Sequence, residues 1–137
     1  MQSIFIAIDD QVISMLLCEE LFEEGYSIRT FSDPWMLTQA VQKSRSDLII
    51  MDEFFGGGRG IDLCLRFRKY LLGTTVIIWA SWISVLGGKK KRLPPNFHIF
   101  KTHTLQELKQ EICRRIRRPT GRRTQQKPLV SECFLGQ

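Results

Sequence analysis

The amino-acid sequence lacks the features that mark membrane-spanning and secreted proteins. None of its apolar runs approaches the roughly 20 residues that a helix needs to cross a bilayer. The start of the chain, MQSIFIAIDDQ, contains no basic residue, and two acids follow its short apolar run at once, unlike a secretory signal. We therefore expect a cytoplasmic protein with no membrane partner.

Cysteine pairs are missing as well. Four cysteines are present, and none of them stands in a CxxC pair or in a cluster with histidine. Structural zinc sites usually draw their ligands from such close pairs, so the spacing argues against a site of that kind. The 137 residues amount to about one domain, which is long enough to bury a core without disulfides or metals.

The first 113 residues also lack an excess of basic side chains, although the formal net charge of the whole chain is +6. Residues 1–113 carry 13 Lys/Arg and 13 Asp/Glu, whereas residues 114–137 carry seven Lys/Arg and one acid. The excess positive charge therefore lies in the tail. We predict one domain over residues 1–118 and a basic, disordered tail over 119–137. The alternative is that the cations of the tail contact acidic lipid or nucleic acid, the latter nonspecifically.

What the sequence does contain is an alternation of short apolar runs with amphipathic segments. The apolar runs predict five strands: Ser3–Ile8, Tyr26–Phe31, Asp47–Met51, Thr74–Trp79 and Phe97–Phe100. The amphipathic segments predict helices over Gln11–Glu24, from Asp33 to about Lys43, over Ile61–Leu72, and from the capping box at Thr104 to Pro119, with a weaker one over Trp82–Leu86. This alternation predicts a parallel sheet that is covered on both faces, with the GGGRG segment as a loop.

Polar side chains follow four of the five apolar strands. Asp9 and Asp10 follow the first strand, and Asp52 ends the third. Ser81 follows the fourth strand, and Lys101 ends the fifth. Each could individually cap a helix or face solvent. Because ligand sites of open parallel sheets form at the carboxyl ends of the strands, we expect the full set to form one site.

The chemistry of these residue types is that of phosphoryl transfer. Three neighbouring carboxylates repel one another and need a neutralising cation. Mg²⁺ prefers such oxygen ligands, and it typically binds one or two carboxylates together with phosphate oxygens. The ammonium group of Lys101 would add a second positive charge, so that a phosphoryl group in transfer is stabilised. Asp52, at the centre, is the predicted nucleophile.

The segments IFIAIDD, DLIIMD, VIIWAS and HIFK resemble the receiver domains of two-component response regulators, over residues 3 to about 117. The resemblance implies a flavodoxin-like, three-layer α/β fold whose five-stranded parallel sheet has the order 2-1-3-4-5. It implies that Asp52 is the phosphorylated aspartate. Asp9, Asp10, Asp52 and the backbone carbonyl of Phe54 would hold Mg²⁺, and Lys101 would pair with the phosphoryl group.

Three further positions follow from the same resemblance. Gly60 corresponds to a glycine that lies eight residues beyond the phosphorylated aspartate. His98 stands where the family has a rotameric switch side chain, but a lone histidine is weak evidence for that role, and we favour a packed strand residue. The switch hydroxyl falls on Ser81 if the alignment shifts by one residue, and on Ala80, which has no hydroxyl, if it does not.

The sequence departs from the family at two prolines. Family members usually have proline four residues after the phosphorylated aspartate, where this chain has Gly56. The lysine is usually followed by a cis-proline, where this chain has Thr102. A cis bond before a residue other than proline costs about 2.5–4 kcal/mol, so we expect a different loop after Lys101.

The predicted function is that of a non-enzymatic signalling protein. A sensor histidine kinase or a phosphotransfer protein would donate a phosphoryl group to Asp52, and the output would pass to a downstream protein target. The departures at positions 56, 80 and 102 motivate an alternative hypothesis, a receiver-like interaction module that needs no phosphorylation. A nucleic-acid-associated protein acting through its basic tail is a third hypothesis, and the sequence favours it least.

Overall fold

A five-stranded parallel sheet organises the chain in the computed structural model, which describes residues 2–80 and 93–116. Its strands are β1 (Ser3–Ala7), β2 (Ser27–Phe31), β3 (Leu48–Asp52), β6 (Thr75–Ala80) and β7 (Phe97–Lys101). Two short strands, β4 (Phe54–Phe55) and β5 (Gly58–Arg59), form a separate hairpin. The helices are α1 (Gln11–Glu23), α2 (Pro34–Lys43), α3 (Gly60–Arg66) and α4 (Leu105–Arg115), with a 3₁₀ turn at Arg68–Tyr70.

The strands lie in the order β2-β1-β3-β6-β7, and all four pairings are parallel. Counted among the strands of the large sheet alone, this order is 2-1-3-4-5, which confirms the predicted fold class. Because every strand runs the same way, the carboxyl ends of β1, β3, β6 and β7 meet at one edge. Ser81 and the helix predicted over Trp82–Leu86 lie outside the described residues.

Two apolar clusters cover the two faces of the sheet. One face packs against α1 and α4 through Leu17, Leu21, Leu108 and Ile112. The other face packs against α2 and α3 through buried residues that include Leu37, Val41 and Cys64. The central strands are apolar along their whole length because both of their faces are covered. The three-layer architecture thus follows from the continuous apolar runs.

Side-chain caps fix the starts of three helices. Asp10 caps α1, and Asp33 caps α2 by accepting a hydrogen bond from the backbone N–H of Trp35, with Pro34 in the first helical turn. Thr104 caps α4 by accepting from the backbone N–H of Glu107 at 3.1 Å. In the described part of the chain, no helix is both long and apolar enough to span a bilayer.

The structure differs from the sequence-based expectation in two segments. The third helix is shorter than predicted, since α3 ends at Arg66 and the chain tightens into the 3₁₀ turn, which buries Phe67 and Leu71 on either side. The segment predicted as a loop, residues 56–60, contains the turn and the second strand of the β4–β5 hairpin. Its turn is formed by Gly56 and Gly57, whose φ angles of 61° and 85° suit the tight two-residue turns of hairpins.

Candidate functional site

The carboxyl edge of the sheet brings Asp52 into contact with the residues that follow β1. Asp52 is the last residue of β3, and its Oδ2 accepts a hydrogen bond from the backbone N–H of Asp9 at 2.9 Å. The Asp9 side chain is engaged elsewhere, because its Oδ1 accepts from the backbone N–H of Gly56 at 3.1 Å. Asp9 therefore connects the end of β3 to the hairpin turn.

Asp10 serves as the cap of α1. Its Oδ1 accepts from the backbone N–H groups of Val12 at 2.9 Å and Ile13 at 3.1 Å. A carboxylate at this position also interacts favourably with the positive end of the helix dipole. The two acids after β1 thus have different local roles, and both remain close enough to Asp52 to affect its ionisation.

The environment of Asp52 disfavours its negative charge. Burial raises the pKa of Asp52 from 3.8 to about 6, and the charges of Asp9, Asp10 and Glu53 add to the rise, while the hydrogen bond from Asp9 N–H lowers it. Glu53 is a buried acid directly after Asp52. The edge of the sheet therefore holds a half-buried carboxylate among three other acids, and this arrangement attracts a cation.

Gly60 allows the chain to pass closely behind Asp52. A Cβ atom built on Gly60 would lie 2.1 Å from the backbone oxygen of Asp52 and 2.4 Å from Cγ of Met51. Only glycine can occupy this position without displacing β3. The close approach is fixed by the hydrogen bond from the backbone N–H of Gly60 to the carbonyl of Glu53 at 2.8 Å.

The carbonyl of Phe54 does not take part in the hydrogen bonds between β4 and β5. Glu53 and Gly60 are hydrogen-bonded across the hairpin, and Phe54 is opposite Arg59. Hydrogen-bonded and non-hydrogen-bonded pairs alternate in an antiparallel ladder, so the pair of Phe54 and Arg59 is the non-bonded kind. The carbonyl that the family resemblance implies as a metal ligand is therefore not used by β5.

Lys101 lies at the same edge of the sheet as Asp52 but does not contact it. Asp52 is opposite Trp79 on β6, and Lys101 is opposite Ala80, the next residue of that strand. Two strand spacings place the backbones of β3 and β7 about 10 Å apart. Between the described residues there is no ion pair that joins Lys101 to a carboxylate.

Thr102 fixes the chain after Lys101 by hydrogen bonds. Its backbone N–H donates to the carbonyl of Ala80 at 3.3 Å, and its carbonyl accepts from Nε1 of Trp79 at 3.0 Å. Its hydroxyl donates to Oε1 of Glu107 at 3.0 Å. The peptide bond before Thr102 is trans. The expectation of a different loop here is thus supported, and side-chain contacts hold this loop in place.

His98 packs beside a charged cluster on α4. Its Nε2 lies 3.5 Å from an Nη of Arg115. Burial lowers the pKa of His98, and the nearby positive charge of Arg115 lowers it further. Arg115 and Arg114 both bind the buried carboxylate of Glu111. In this conformation His98 has the contacts of a packed strand residue.

The acids around Asp52 have the chemistry that suits Mg²⁺, although their side chains are engaged with backbone N–H groups. Within residues 2–80 and 93–116, no three His, Cys, Asp or Glu side chains are grouped closely enough to hold a metal ion. The acid side chains are held apart because Asp10 caps α1 and Asp9 accepts a hydrogen bond from Gly56 N–H. Mg²⁺ needs only one or two protein carboxylates, because it retains several waters. The raised pKa of Asp52 is the observation that favours a cation site, because a divalent cation would offset the repulsion between Asp52 and the acids around it.

Sequence reasoning missed one residue and two hydrogen bonds of this site. Glu53 adds a fourth carboxylate, and its position directly after Asp52 was a signal that could have been used. The hydrogen bond from Trp79 to Thr102 depends on the register of β6 and β7, which no sequence pattern specifies. The bond from Gly56 to Asp9 involves a backbone group and has no side-chain signature.

Comparisons with known proteins identify a matching family. The family model described as response regulator receiver domain matches residues 4–113. The transcriptional regulatory protein TcrA of Mycobacterium tuberculosis is 28% identical over 75 residues, which cover 55% of this chain and 30% of that protein. The matched segment thus spans less than a third of this curated relative.

Solved structures share the fold. Response regulator protein TrrA from Thermotoga maritima, in complex with Mg²⁺–BeF, has a TM-score of 0.63 at 24% identity, covering 85% of this chain and 100% of that one. TrrA in complex with histidine kinase ThkA has a TM-score of 0.64 at 23% identity, covering 85% and 99%. A two-component response regulator from Clostridium difficile has a TM-score of 0.66 at 19% identity, covering 88% and 100%.

Proposed function

The chain belongs to the family of response regulator receiver domains, and from this membership we propose that it accepts a phosphoryl group on Asp52 in a Mg²⁺-dependent reaction. The observation that carries the proposal is the environment of Asp52. This residue ends β3 at the carboxyl edge of the sheet, it is half-buried, and three acids surround it. A pKa of about 6 leaves most of the Asp52 carboxylate ionised at neutral pH, so it can act as a nucleophile.

In the proposed reaction, a carboxylate oxygen of Asp52 forms a bond to phosphorus while the phosphorus–nitrogen bond of a phosphohistidine breaks. The leaving imidazole keeps the electron pair and takes a proton. Asp52 Oδ2 already accepts from Asp9 N–H, which holds the side chain in one orientation. Gly60 keeps the chain behind Asp52 free of a side chain, so that the carboxylate keeps its position on β3.

Mg²⁺, when bound, would offset the charge of the carboxylates and of the incoming phosphoryl group. We propose Asp9, Asp10 and Asp52 as its carboxylate ligands, with the carbonyl of Phe54. Asp10 can contribute with its second oxygen while Oδ1 caps α1, since a carboxylate has two acceptor atoms. Lys101 would pair with the phosphoryl group after transfer, and Ser81 would supply a hydroxyl.

The donor that we propose is a sensor histidine kinase or a phosphotransfer protein, and the output is a contact with a downstream protein. The complex of TrrA with histidine kinase ThkA supports a kinase as donor. The exposed apolar side chains of Val12 and Leu16 lie in the first turns of α1, after the Asp10 cap, and we propose them as part of the contact surface.

The test is labelling of the full chain with a radioactive small phosphodonor, with and without Mg²⁺, followed by mapping of the modified residue. We expect label on Asp52, only with Mg²⁺, and none on Asp52→Asn, which keeps the shape and loses the nucleophile. Asp47→Asn is the matched control, because Asp47 precedes β3 at the opposite edge, where it binds the backbone N–H of Ser3. This control should label like the wild-type chain.

A specific observation also supports the second function, an interaction module that needs no phosphorylation. The side chains of Asp9 and Asp10 are already engaged by backbone N–H groups, and Lys101 forms no ion pair with Asp52 among the described residues. If the wild-type chain binds Mg²⁺ and stays unlabelled with a competent donor, this second function replaces the first.

A further inference from the structure

Charge is divided unequally along the domain, although its body is neutral in total. Residues 1–62 carry 11 Asp/Glu and four Lys/Arg, a net charge of −7. Residues 63–106 carry eight Lys/Arg and no acid, a net charge of +8. A stretch of 44 residues without a carboxylate leaves its cations without local partners in sequence. The fold then decides whether acids from elsewhere neutralise them.

Near the amino-terminal edge of the sheet, several of these cations have no ion-pair partner among the acids that the structure describes. Arg66 ends α3, Arg68 and Lys69 follow in the 3₁₀ turn, and all three are exposed. Arg45 joins them from the segment before β3, because a Cβ atom built on Gly73 would lie 2.6 Å from one of its Nη atoms. No ion pair connects any of these four cations to a carboxylate of residues 2–80 or 93–116.

Two large apolar side chains protrude among these cations. Leu72 is 78% exposed, the highest value among the large apolar residues described, and Tyr70 is 40% exposed. Lys69 Nζ lies 5.1 Å from the centre of the Tyr70 ring. Leu71, between them, is buried and anchors the segment in the core. The φ angle of 85° at Gly73 reverses the chain directly after Leu72, so that Leu72 stands at the tip of a turn.

We propose that this surface binds the face of an anionic lipid bilayer. It is called the basic tip and consists of Arg45, Arg66, Arg68, Lys69, Tyr70 and Leu72. In such contacts the aliphatic tip enters the headgroup region, the aromatic ring lies at the interface, and the long cationic side chains reach the lipid phosphates and carboxylates. The sequence-based expectation of no membrane partner rested on the lack of a spanning segment, and contact with a surface needs no such segment.

The shape and composition of the tip favour lipid over other polyanions. A nucleic-acid backbone would use the cations but offers little apolar surface to an aliphatic side chain as exposed as Leu72. A protein partner usually receives a protruding apolar residue in a matching pocket, whereas a fluid lipid interface needs no shape complementarity. An exposed apolar side chain beside four cations that form no ion pair with the described acids is what an anionic interface accommodates.

The basic tip lies at the opposite end of the strands from Asp52. Arg45 precedes β3, Leu72 precedes β6, and Asp52 ends β3 four residues after its start. At about 3.3 Å for each strand residue, the two ends of β3 are roughly 13 Å apart. A chain seated on a bilayer through the tip would therefore keep its acidic edge open to a protein partner. The inference does not rest on phosphorylation of Asp52.

The test is flotation of the full chain with vesicles of phosphatidylcholine alone or of phosphatidylcholine with phosphatidylserine. We expect binding only to the anionic vesicles, with loss at high salt. Leu72→Ser should lower the partition coefficient about tenfold, because one leucine side chain leaves the interface. The double variant Arg68→Gln/Lys69→Gln should lower it about thirtyfold, at about 1 kcal/mol for each cation near an anionic surface.

Matched controls distinguish lipid binding by the basic tip from nonspecific adsorption of exposed apolar side chains and from binding by the basic tail. Val12→Ser removes another exposed aliphatic side chain, and Arg122→Gln/Arg123→Gln removes two cations from the tail. Both should change partitioning by no more than about twofold. The proposal is overturned if anionic vesicles do not bind, if Leu72→Ser binds like the wild type, or if the tail variant loses as much as the tip variant. Binding of a DNA duplex that depends on Arg68 and Lys69 but not on Leu72 would show a nucleic-acid surface instead.

Discussion

Replacing Asp52 by asparagine is expected to make the folded protein more stable at neutral pH. The wild-type carboxylate is half-buried beside Asp9, Asp10 and Glu53, and all of these raise its pKa. Asparagine keeps the size of the side chain, and its carbonyl oxygen can still accept the hydrogen bond from Asp9 N–H. The substitution therefore removes the repulsion and keeps the contact.

The size of the effect follows from the pKa. A tenfold change in proton affinity is worth about 1.4 kcal/mol, so a rise from 3.8 to about 6 corresponds to about 3 kcal/mol of destabilisation by the ionised group. Asp52 is only half-buried, and solvent screening reduces this to about 1–2 kcal/mol. For a chain of this length, we expect Asp52→Asn to raise the thermal midpoint by about 3–8 °C.

The raised pKa of Asp52 determines how the stability difference between the two proteins changes with pH. Below about pH 4, Asp52 is protonated in both the folded and the unfolded chain, and the two proteins should be equally stable. Between about pH 4 and pH 6 the unfolded chain loses this proton while the folded chain keeps it, so the wild type loses stability relative to the variant. Above about pH 6 the difference is constant.

Urea titrations of both proteins across this pH range measure the difference directly. Mg²⁺ at about ten times its dissociation constant should add about 1.4 kcal/mol to the wild type and less to the variant. Asp47→Asn is the control: its amide oxygen can also keep the hydrogen bond from Ser3 N–H, and it leaves the carboxylates around Asp52 in place, so this variant should not become more stable than the wild type. A variant less stable than the wild type at pH 7, or a difference that does not vary with pH, would refute the reasoning.

Three further predictions concern the scaffold. Gly60→Ala should lower the free energy of unfolding by about 1–3 kcal/mol, because its methyl group would overlap the backbone of β3, whereas Gly58→Ala has open space and should leave the urea midpoint nearly unchanged. Trp79→Phe should cost at least about 0.5–1.5 kcal/mol in the same titration, since the carbonyl of Thr102 loses its donor, and an unchanged midpoint would contradict this bond. We propose that residues 1–118 form the domain, so removal of residues 119–137 should leave the thermal midpoint within about 2 °C when both proteins are kept reduced, because Cys18 is disulfide-bonded, and a larger drop under reducing conditions would show that the tail docks on the body.

The sheet and its acidic edge could be predicted because each depends on patterns that are local in sequence. Continuous apolar runs such as Leu48–Met51 indicate strands that are buried on both faces, and the alternation with helices fixes parallel pairing. The acids after β1 and at the end of β3 then fall at one edge without any knowledge of contacts. One polar residue at the end of one strand would not have predicted a site. Polar residues at the ends of several strands did predict one.

The remaining features depend on where backbone groups and distant side chains meet. The basic tip illustrates this. A charge count over residues 1–113 gives neutrality, and it conceals that most of the acids lie in residues 1–62 and most of the cations in residues 63–113. Only the fold shows that Arg45 reaches Gly73 and that it forms no ion pair with a carboxylate of the described residues. Likewise, the position of Asp10 in the sequence allowed two roles, helix capping and metal binding, and only the structure shows the cap.

The two departures from the family's prolines have a common physical explanation. Proline has no backbone N–H, and both replacement residues donate one. Gly56 N–H donates to the carboxylate of Asp9, and Thr102 N–H donates to the carbonyl of Ala80. Gly56 also has a φ of 61°, which a proline ring cannot adopt.

Each departure therefore replaces a rigid ring with a hydrogen bond at the same edge of the sheet. At position 56 the bond reaches one of the acids that neighbour Asp52. At position 102 it fixes the residue after Lys101, and Trp79 and Glu107 hold that residue further. The loops on both sides of Asp52 are thus positioned by groups that a proline would have removed. For this reason the missing prolines do not by themselves argue against a working phosphorylation site, and the labelling experiment on Asp52 decides between the two functions.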